Sequence, residues 1–153
     1  MTDKQTQQTF FGLEKIYIKD ISYEAPAVPE AFLQNQTPEV NVQISLMHRP
    51  IDKAEGYYEV TMTVEIDTKG QEKQLFFIEV HQAGVFRVQG VEGEMLERTL
   101  EISCAYVLLP FVRETVNDLV SRGGFPQLLI NPINFDALYE QKRMAKTTAK
   151  GTA

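Results

Sequence analysis

The sequence predicts an α+β domain in which a four-stranded antiparallel sheet carries helices packed on one face. Two observations predict this class. Four segments in which apolar and polar side chains alternate occupy residues 10–81. Segments with helical spacing follow them, and an order of strands first and helices second is typical of α+β domains. With 153 residues, of which 43% are hydrophobic, the chain is long enough for one domain with its own core.

The strands are predicted from the alternation. The first covers residues 10–23 and has apolar side chains on both faces. Residues 25–38 contain three prolines, so we expect a long irregular connection there. Strict alternation follows at residues 40–47 and 58–67. A turn expected at residues 68–70 leads to the last strand, residues 75–81, which forms a hairpin with the preceding one.

The helices follow turns expected at residues 83–84 and 90–93. A helical segment at 95–102 precedes a longer helix at 106–122, in which Pro110 is acceptable only near the first turn or at a kink. Gly123 and Gly124 end this helix, and Asn134 caps a short helix at 135–143. Residues 1–9 are predicted to be disordered, residues 10–144 to form the domain, and residues 145–153 to be a flexible tail.

Composition excludes several classes of function. The formal net charge is −6, which disfavours nucleic-acid binding. A single cysteine, Cys104, cannot form an internal disulfide, and two histidines with one cysteine cannot close a zinc site without carboxylates. The glycines match no phosphate-binding motif, so neither ATP nor another cofactor is predicted.

The sequence also predicts a cytoplasmic location. The polar N-terminus lacks the apolar segment of a secretory signal. The most apolar run, residues 105–112, is much shorter than the ~20 residues that cross a bilayer, so no membrane insertion is expected.

Catalysis is not indicated by the candidate residues. Nothing in the sequence places a nucleophile or an orienting acid beside His48 or His81. Cys104 lies in an apolar segment, where a small buried side chain is the ordinary interpretation. We therefore predict a protein that is not an enzyme.

One face of the predicted hairpin combines acidic and apolar side chains. An ordinary solvated sheet face and a docking surface explain this pattern equally well. Without residues 140–153 the chain has 11 basic and 20 acidic residues, so a docking partner should be basic. The residues of this face are Glu59, Glu65, Asp67, Leu75, Phe77 and Glu79.

A second candidate site combines the proline-rich connection, the second strand and the last helix. The pattern alone favours a small satellite core beneath a long loop. The alternative is a groove for an extended peptide.

Three motifs carry a resemblance to a known family. They are YIKDISYEAPAVP at residues 17–29, GVFRVQGVEG at 84–93 and VSRGGFPQLLINPINFDALY at 120–139. In order and spacing, residues 10–143 resemble the SecB export chaperones. The resemblance implies a homotetramer built as a dimer of dimers, which holds precursor proteins unfolded without ATP and delivers them to the translocase motor SecA.

The resemblance also implies two sets of site residues. The SecA-binding set is Asp20, Glu24, Phe77 and Glu79. The client groove is lined by Phe32, Val40, Val42, Ile44, Phe135, Leu138 and Tyr139.

Two departures from the family pattern affect these expectations. The chain has no tryptophan, where family members often carry one in the loop, so an aromatic subsite should be shallower. The tail from Glu140 onward is basic, while family tails are frequently acidic. Two competing hypotheses are a small-ligand or peptide-binding module without an export role, and a cofactorless enzyme that uses His81 with Glu79.

Overall fold

The computed structural model describes residues 8–35 and 37–151, and the predicted α+β class is confirmed. Most of the segment predicted to be disordered, residues 1–7, lies outside the described residues. None of the described helices is long and apolar enough to cross a membrane. The strands are β1 (Phe10–Glu24), β2 (Glu39–Asp52), β3 (Tyr57–Gly70) and β4 (Lys73–Gln89). The helices are a 3-10 helix (Glu30–Leu33), α1 (Gly93–Arg98), α2 (Cys104–Arg122) and α3 (Phe135–Gly151), with a π-helical turn (Thr99–Ser103) between α1 and α2.

The four strands form one antiparallel sheet in the order β1-β4-β3-β2, so β1 and β2 are its edges. The inner face packs against α2, because alternate residues of β3 and β4 and one stripe of α2 are apolar. The core includes fully buried side chains from all three elements, among them Val60, Met62, Val64, Ile66, Ile78, Val80, Phe86, Leu108, Val112 and Val116.

The β3–β4 hairpin turns two residues later than predicted. Strand β3 continues to Gly70, and the turn is formed by Gln71 and Glu72, which have φ angles of 49° and 65°. Two consecutive positive φ angles are the geometry of the tight turn that matches the twist of a hairpin. The sequence pointed to residues 68–70 because Gly70 is the glycine in this segment.

The turn predicted at residues 83–84 is wrong, because both residues lie inside β4, which runs to Gln89. A larger residue would not fit at Gly84, because a Cβ atom on it would lie 2.9 Å from the Phe86 ring and 3.2 Å from the carbonyl oxygen of Lys15. The small residues let β1 and β4 pack closely, as glycine in a strand often does.

Leu75 is buried, which corrects its predicted place on the outer face. Thr68 pairs with Phe76 and Lys69 with Gln74, so Leu75 is the extra residue of a β-bulge. The bulge turns both Leu75 and Phe76 toward the core.

The helices are longer than predicted. The helical segment begins at Gly93 and is continuous into α2. Pro110 therefore lies inside it, in the second turn of α2, and not near its start. Gly124, with a φ of +84°, follows the end of α2 as predicted. The Asn134 Oδ1 accepts a hydrogen bond from the Ala137 N–H at 3.0 Å, which confirms the predicted cap. Helix α3 extends to Gly151, through most of the segment predicted to be a tail, and the 25–38 connection contains the 3-10 helix.

Candidate functional site

The sheet brings the four residues of the predicted SecA-binding set together on its outer face. Glu24 lies opposite Phe77, Ser22 opposite Glu79, and Asp20 opposite His81 in the β1–β4 register. Side chains opposite each other in an antiparallel ladder point to the same face. Phe77 and Glu79 are partly exposed, whereas their neighbours Ile78 and Val80 are fully buried.

Strand β3 adds two carboxylates to this face. Glu65 lies opposite Glu79, and Asp67 lies opposite Phe77. The Asp67 Oδ1 accepts a hydrogen bond from Gln74 Nε2 at 2.9 Å, and Lys69 Nζ lies 3.8 Å from Asp67 Oδ2. The acidic patch, as we define it, consists of Asp20, Glu24, Glu65, Asp67 and Glu79. Glu24 and Asp67 flank Phe77, and Asp20 lies at the other end of the patch, opposite His81.

Glu59 belongs to the same face of β3 but is buried, which corrects its predicted role in a solvent-facing patch. Its carboxylate accepts hydrogen bonds from the Tyr17 hydroxyl, from Lys19 Nζ at 3.1 Å and from Arg49 Nε at 3.1 Å. Burial by itself would raise the pKa of Glu59, but these three donors outweigh it and lower the pKa. Glu59 therefore holds β1, β3 and β2 together and is not free to bind a partner.

His81 has closer polar neighbours than the sequence indicated. Its Nε2 lies 3.0 Å from Glu79 Oε1, and its Nδ1 lies 3.3 Å from the Thr63 hydroxyl. A hydroxyl, an imidazole and a carboxylate are therefore in contact on the outer face. They lie on central strands whose backbone N–H groups are engaged in the sheet ladder, so no backbone donors face a reacting oxyanion. This geometry gives no support to the enzyme hypothesis.

Four residues of the predicted groove meet in one cavity. Ile44 from β2 faces Phe135, Leu138 and Tyr139 from α3 across a volume of 240 Å³. Phe135 and Tyr139 are buried and form its wall, while Leu138 is 42% exposed at the rim. We call this space the α3 cavity.

Phe32 lies in a second cavity of 350 Å³, formed between the 3-10 helix and residues 124–128. Its ring centroid is 5.1 Å from that of Phe125, which in turn is 5.0 Å from that of Phe76. The 3-10 helix brings Phe32 to this cluster, and we call the space the Phe32 cavity.

Val40 and Val42 line neither cavity but connect them. They share with Ile44 the inner face of β2, and both remain exposed, at 40% and 36%. Val40 lies opposite Thr68, which lines the Phe32 cavity, and Ile44 lines the α3 cavity. Because side chains on one face repeat every ~6.7 Å, the stripe of Val40, Val42 and Ile44 spans ~13 Å along the edge of the sheet.

Two buried polar groups of these cavities were not predicted. Glu101 is buried beside the α3 cavity, where its Oε1 accepts a hydrogen bond from Lys142 Nζ at 2.6 Å. Its Oε2 and the Thr68 hydroxyl have no hydrogen-bond partner among the described residues. The π-helical turn buries Leu100, Glu101 and Ile102 in succession, which a regular helical spacing does not predict.

Helix α3 is fixed to the rest of the fold by ion pairs around Tyr139. Arg98 pairs with Glu140 at 2.8 Å and lies 5.2 Å from the Tyr139 ring centroid. One turn further along α3, Arg143 pairs with Glu94 of α1. The wall of the α3 cavity is therefore attached by contacts that salt screens.

A family model described as "Preprotein translocase subunit SecB" matches residues 4–146. The chain belongs to the SecB family. The resemblance read from the three sequence motifs is thereby confirmed.

Curated relatives of the same name agree over nearly the whole chain. "Protein-export protein SecB" of Alcanivorax borkumensis is 46% identical over 138 residues, 90% of this chain and 88% of that protein. The protein of that name from Chromobacterium violaceum is 43% identical over 97% of this chain and 98% of its own length. The one from Methylobacillus flagellatus is 41% identical, with 96% and 92% covered. These SecB relatives support a chaperone role in protein export.

A solved structure shares the fold. A SecB-like chaperone of Mycobacterium tuberculosis, solved in complex with a ChAD peptide from an antitoxin, superposes with a TM-score of 0.65 at 16% identity. The match covers 80% of this chain and 90% of that one. The SecB-like arrangement of sheet and helices is therefore present here.

Proposed function

We propose that this SecB chain is an ATP-independent holdase that keeps precursor proteins unfolded and delivers them to SecA. The observation that carries the proposal is the apolar stripe on β2, which lies on a free edge of the sheet and joins two aromatic cavities. A surface of this kind suits a chain that is extended and offers both backbone and apolar side chains. A folded protein offers neither.

Capture by β2 uses two kinds of contact. The free edge of β2 can pair with the backbone of a client strand, and such pairing is independent of sequence. Alternate client side chains then reach the stripe and the two cavities, where apolar burial contributes about 25 cal/mol per Å². Broad specificity follows, because no contact requires a particular motif.

Delivery requires a separate surface for SecA, for which we propose the acidic patch. The patch carries one partly exposed aromatic ring, Phe77, and five carboxylates. An apolar centre with acidic surroundings suits a partner that presents an apolar group with basic side chains around it. The patch faces outward while the stripe on β2 faces the helices. Release without nucleotide then depends on SecA binding differently to loaded and empty chaperone.

We further propose that the chain works as a cytoplasmic homotetramer, a dimer of dimers. Helix α2 has exposed aromatic residues, Tyr106 at 44% and Phe111 at 36%, beside the buried stripe that meets the sheet. A second copy that covers them removes apolar surface from water. Four linked grooves also strengthen weak binding of one long client through effective concentration.

A refolding assay tests the holdase. A precursor unfolded in denaturant is diluted with and without this protein, in the absence of nucleotide, and recovery of its folded signal is followed. We expect a delay that saturates near stoichiometric amounts of tetramer. Undelayed refolding would contradict the holdase proposal, and delay without SecA binding would favour a peptide-binding module that has no export role.

A further inference from the structure

The outer face of the sheet is divided by charge along its strands. The acidic patch occupies one end. At the other end, Lys15 lies opposite Val85 on β4, Val85 opposite Glu59 on β3, and Glu59 opposite Arg49 on β2. We call Lys15, Lys19 and Arg49 the basic end.

Positive charge is in excess at the basic end. Lys19 and Arg49 share the single carboxylate of Glu59, and Lys15 has no ion pair with any residue that the structure describes. Arg87 lies two residues beyond Val85 on the same face, pairs with Glu55 at 3.4 Å and lies 5.2 Å from the Tyr57 ring centroid. Three cations therefore stand against the buried Glu59 and against Asp20, which lines one cavity with Lys19 and Arg49 where the basic end meets the acidic patch. The acidic patch has the opposite excess, with five carboxylates and Lys69 beside them.

The size of the face decides whether one partner meets both ends. From Phe77 to Arg87, β4 advances ten residues, about 33 Å, and four strands span about 19 Å, which gives about 600 Å². A standard interface buries about 800 Å² on each partner. An interface of ordinary size is thus comparable in extent with this face, so a partner centred on the face contacts both the acidic patch and the basic end.

We propose that the SecA element that docks here is bipolar, with cationic groups over the acidic patch and anionic groups over the basic end. The inference rests on the proposed SecA function and adds the orientation of the partner. A uniformly cationic element would set like charges against Lys15 and Arg49, which opposes binding. A bipolar element satisfies both ends in only one direction along the strands.

Two substitutions of equal charge test this by the sign of their effect. Lys15→Glu at the basic end and Lys69→Glu beside the acidic patch each change the charge by the same amount, and both lysines are exposed. A uniformly cationic SecA element would bind both variants more tightly than wild type. A bipolar element binds Lys69→Glu more tightly and Lys15→Glu more weakly, each by about two- to fivefold.

Calorimetry with SecA at low salt measures the affinities. Circular dichroism shows that each variant is folded. The Glu79→Lys variant tests whether SecA docks on this face at all. Both differences should disappear near 1 M salt, where the Debye length is about 3 Å. Tighter or unchanged binding of Lys15→Glu, or a Lys69→Glu variant that is not tighter, overturns the bipolar partner. If wild type does not bind SecA, or Glu79→Lys binds as wild type does, the SecA function fails and this inference fails with it.

Discussion

Glu65 and Glu79 lie directly opposite each other on the two central strands of the sheet. Like charges in this position destabilise a sheet, by a few tenths of a kcal/mol to about 1 kcal/mol. The Glu79 carboxylate is also in contact with His81, whose Nε2 lies 3.0 Å from Glu79 Oε1. The pair therefore costs stability, and both carboxylates belong to the acidic patch for which we propose SecA binding.

Glu65→Gln should therefore separate stability from docking. The loss of one of two facing carboxylates should raise the free energy of unfolding by up to about 1 kcal/mol. The same change should weaken SecA binding, because one charge of the acidic patch is gone. Chemical denaturation and calorimetry measure the two effects, and a decrease in both would show that the Glu65 carboxylate is structural.

The stripe on β2 is tested by two substitutions on opposite faces of one strand. Val42 faces the helices and Met47, which is 72% exposed, faces outward. Val42→Asp should weaken binding of an unfolded client at least fivefold, or about 1 kcal/mol, a cost that only a minority of interface residues exceed. Met47→Asp should leave client binding near that of wild type. Equal effects in a refolding assay would show that the inner face of β2 is not the capture surface.

The Glu59 cluster predicts an acid-sensitive fold. Because the pKa of Glu59 is lowered in the folded state, its contribution to stability is complete above the unfolded pKa of about 4.3 and is lost as the pH falls through the folded value. Glu59→Gln should cost about 1–3 kcal/mol at neutral pH, since Lys19 and Arg49 lose a charged acceptor. Denaturation from pH 7 to pH 3 should show a shallower loss for the variant. Parallel curves would exclude this carboxylate as a source of the acid sensitivity.

Tyr17 predicts the opposite behaviour at high pH. Burial and the neighbouring Glu59 raise the pKa of the Tyr17 phenol to about 12. Stability from this group is complete below the ordinary pKa of about 10 and is lost as the pH rises through the folded value. Tyr17→Phe should reduce that loss. A spectrophotometric titration of phenolate that finds every tyrosine ionising near 10 would contradict the prediction.

The close contact between Gly123 and Tyr23 predicts another cost. A Cβ atom on Gly123 would lie 1.9 Å from the Tyr23 hydroxyl oxygen, which is buried and has no hydrogen-bond partner among the described residues. Gly123→Ala should destabilise the fold by about 1–3 kcal/mol through overpacking. Tyr23→Phe should recover part of this loss in the double variant. If Gly123→Ala destabilises the Tyr23→Phe variant as much as it destabilises the wild type, the Tyr23 hydroxyl is not the source of the overpacking.

The sequence was a good guide to β3 and a poor guide to its hairpin partner. Val60, Met62 and Val64 alternate with polar residues, and burial follows that alternation. The β3–β4 turn was misplaced because Gln71 and Glu72 form it without a glycine. Gly84 was misread as a turn because a strand glycine that makes room for a neighbouring chain has the same local signal as a turn glycine.

The candidate site was predictable only in part for a similar reason. The register that sets Glu24 against Phe77 joins residues 53 positions apart, and local patterns do not contain it. The bulge that buries Leu75 and the π-helical turn that buries Glu101 both shift a side chain from the face its spacing indicates. Resemblance to a family supplied Asp20 and Glu24, which local spacing did not single out.

Two prolines lie at the ends of the free edge of β2, Pro38 just before the strand and Pro50 near its end. Neither has a backbone N–H, so an added strand meets an uninterrupted ladder only along residues 39–49, about 37 Å of extended chain. A polypeptide must therefore present about eleven consecutive unpaired residues to occupy the edge fully. Loops in compact domains usually have about 4–6 residues, so we expect the loops of native proteins to be too short to occupy the whole edge. The two prolines would thus set the length of the segment that can pair with β2.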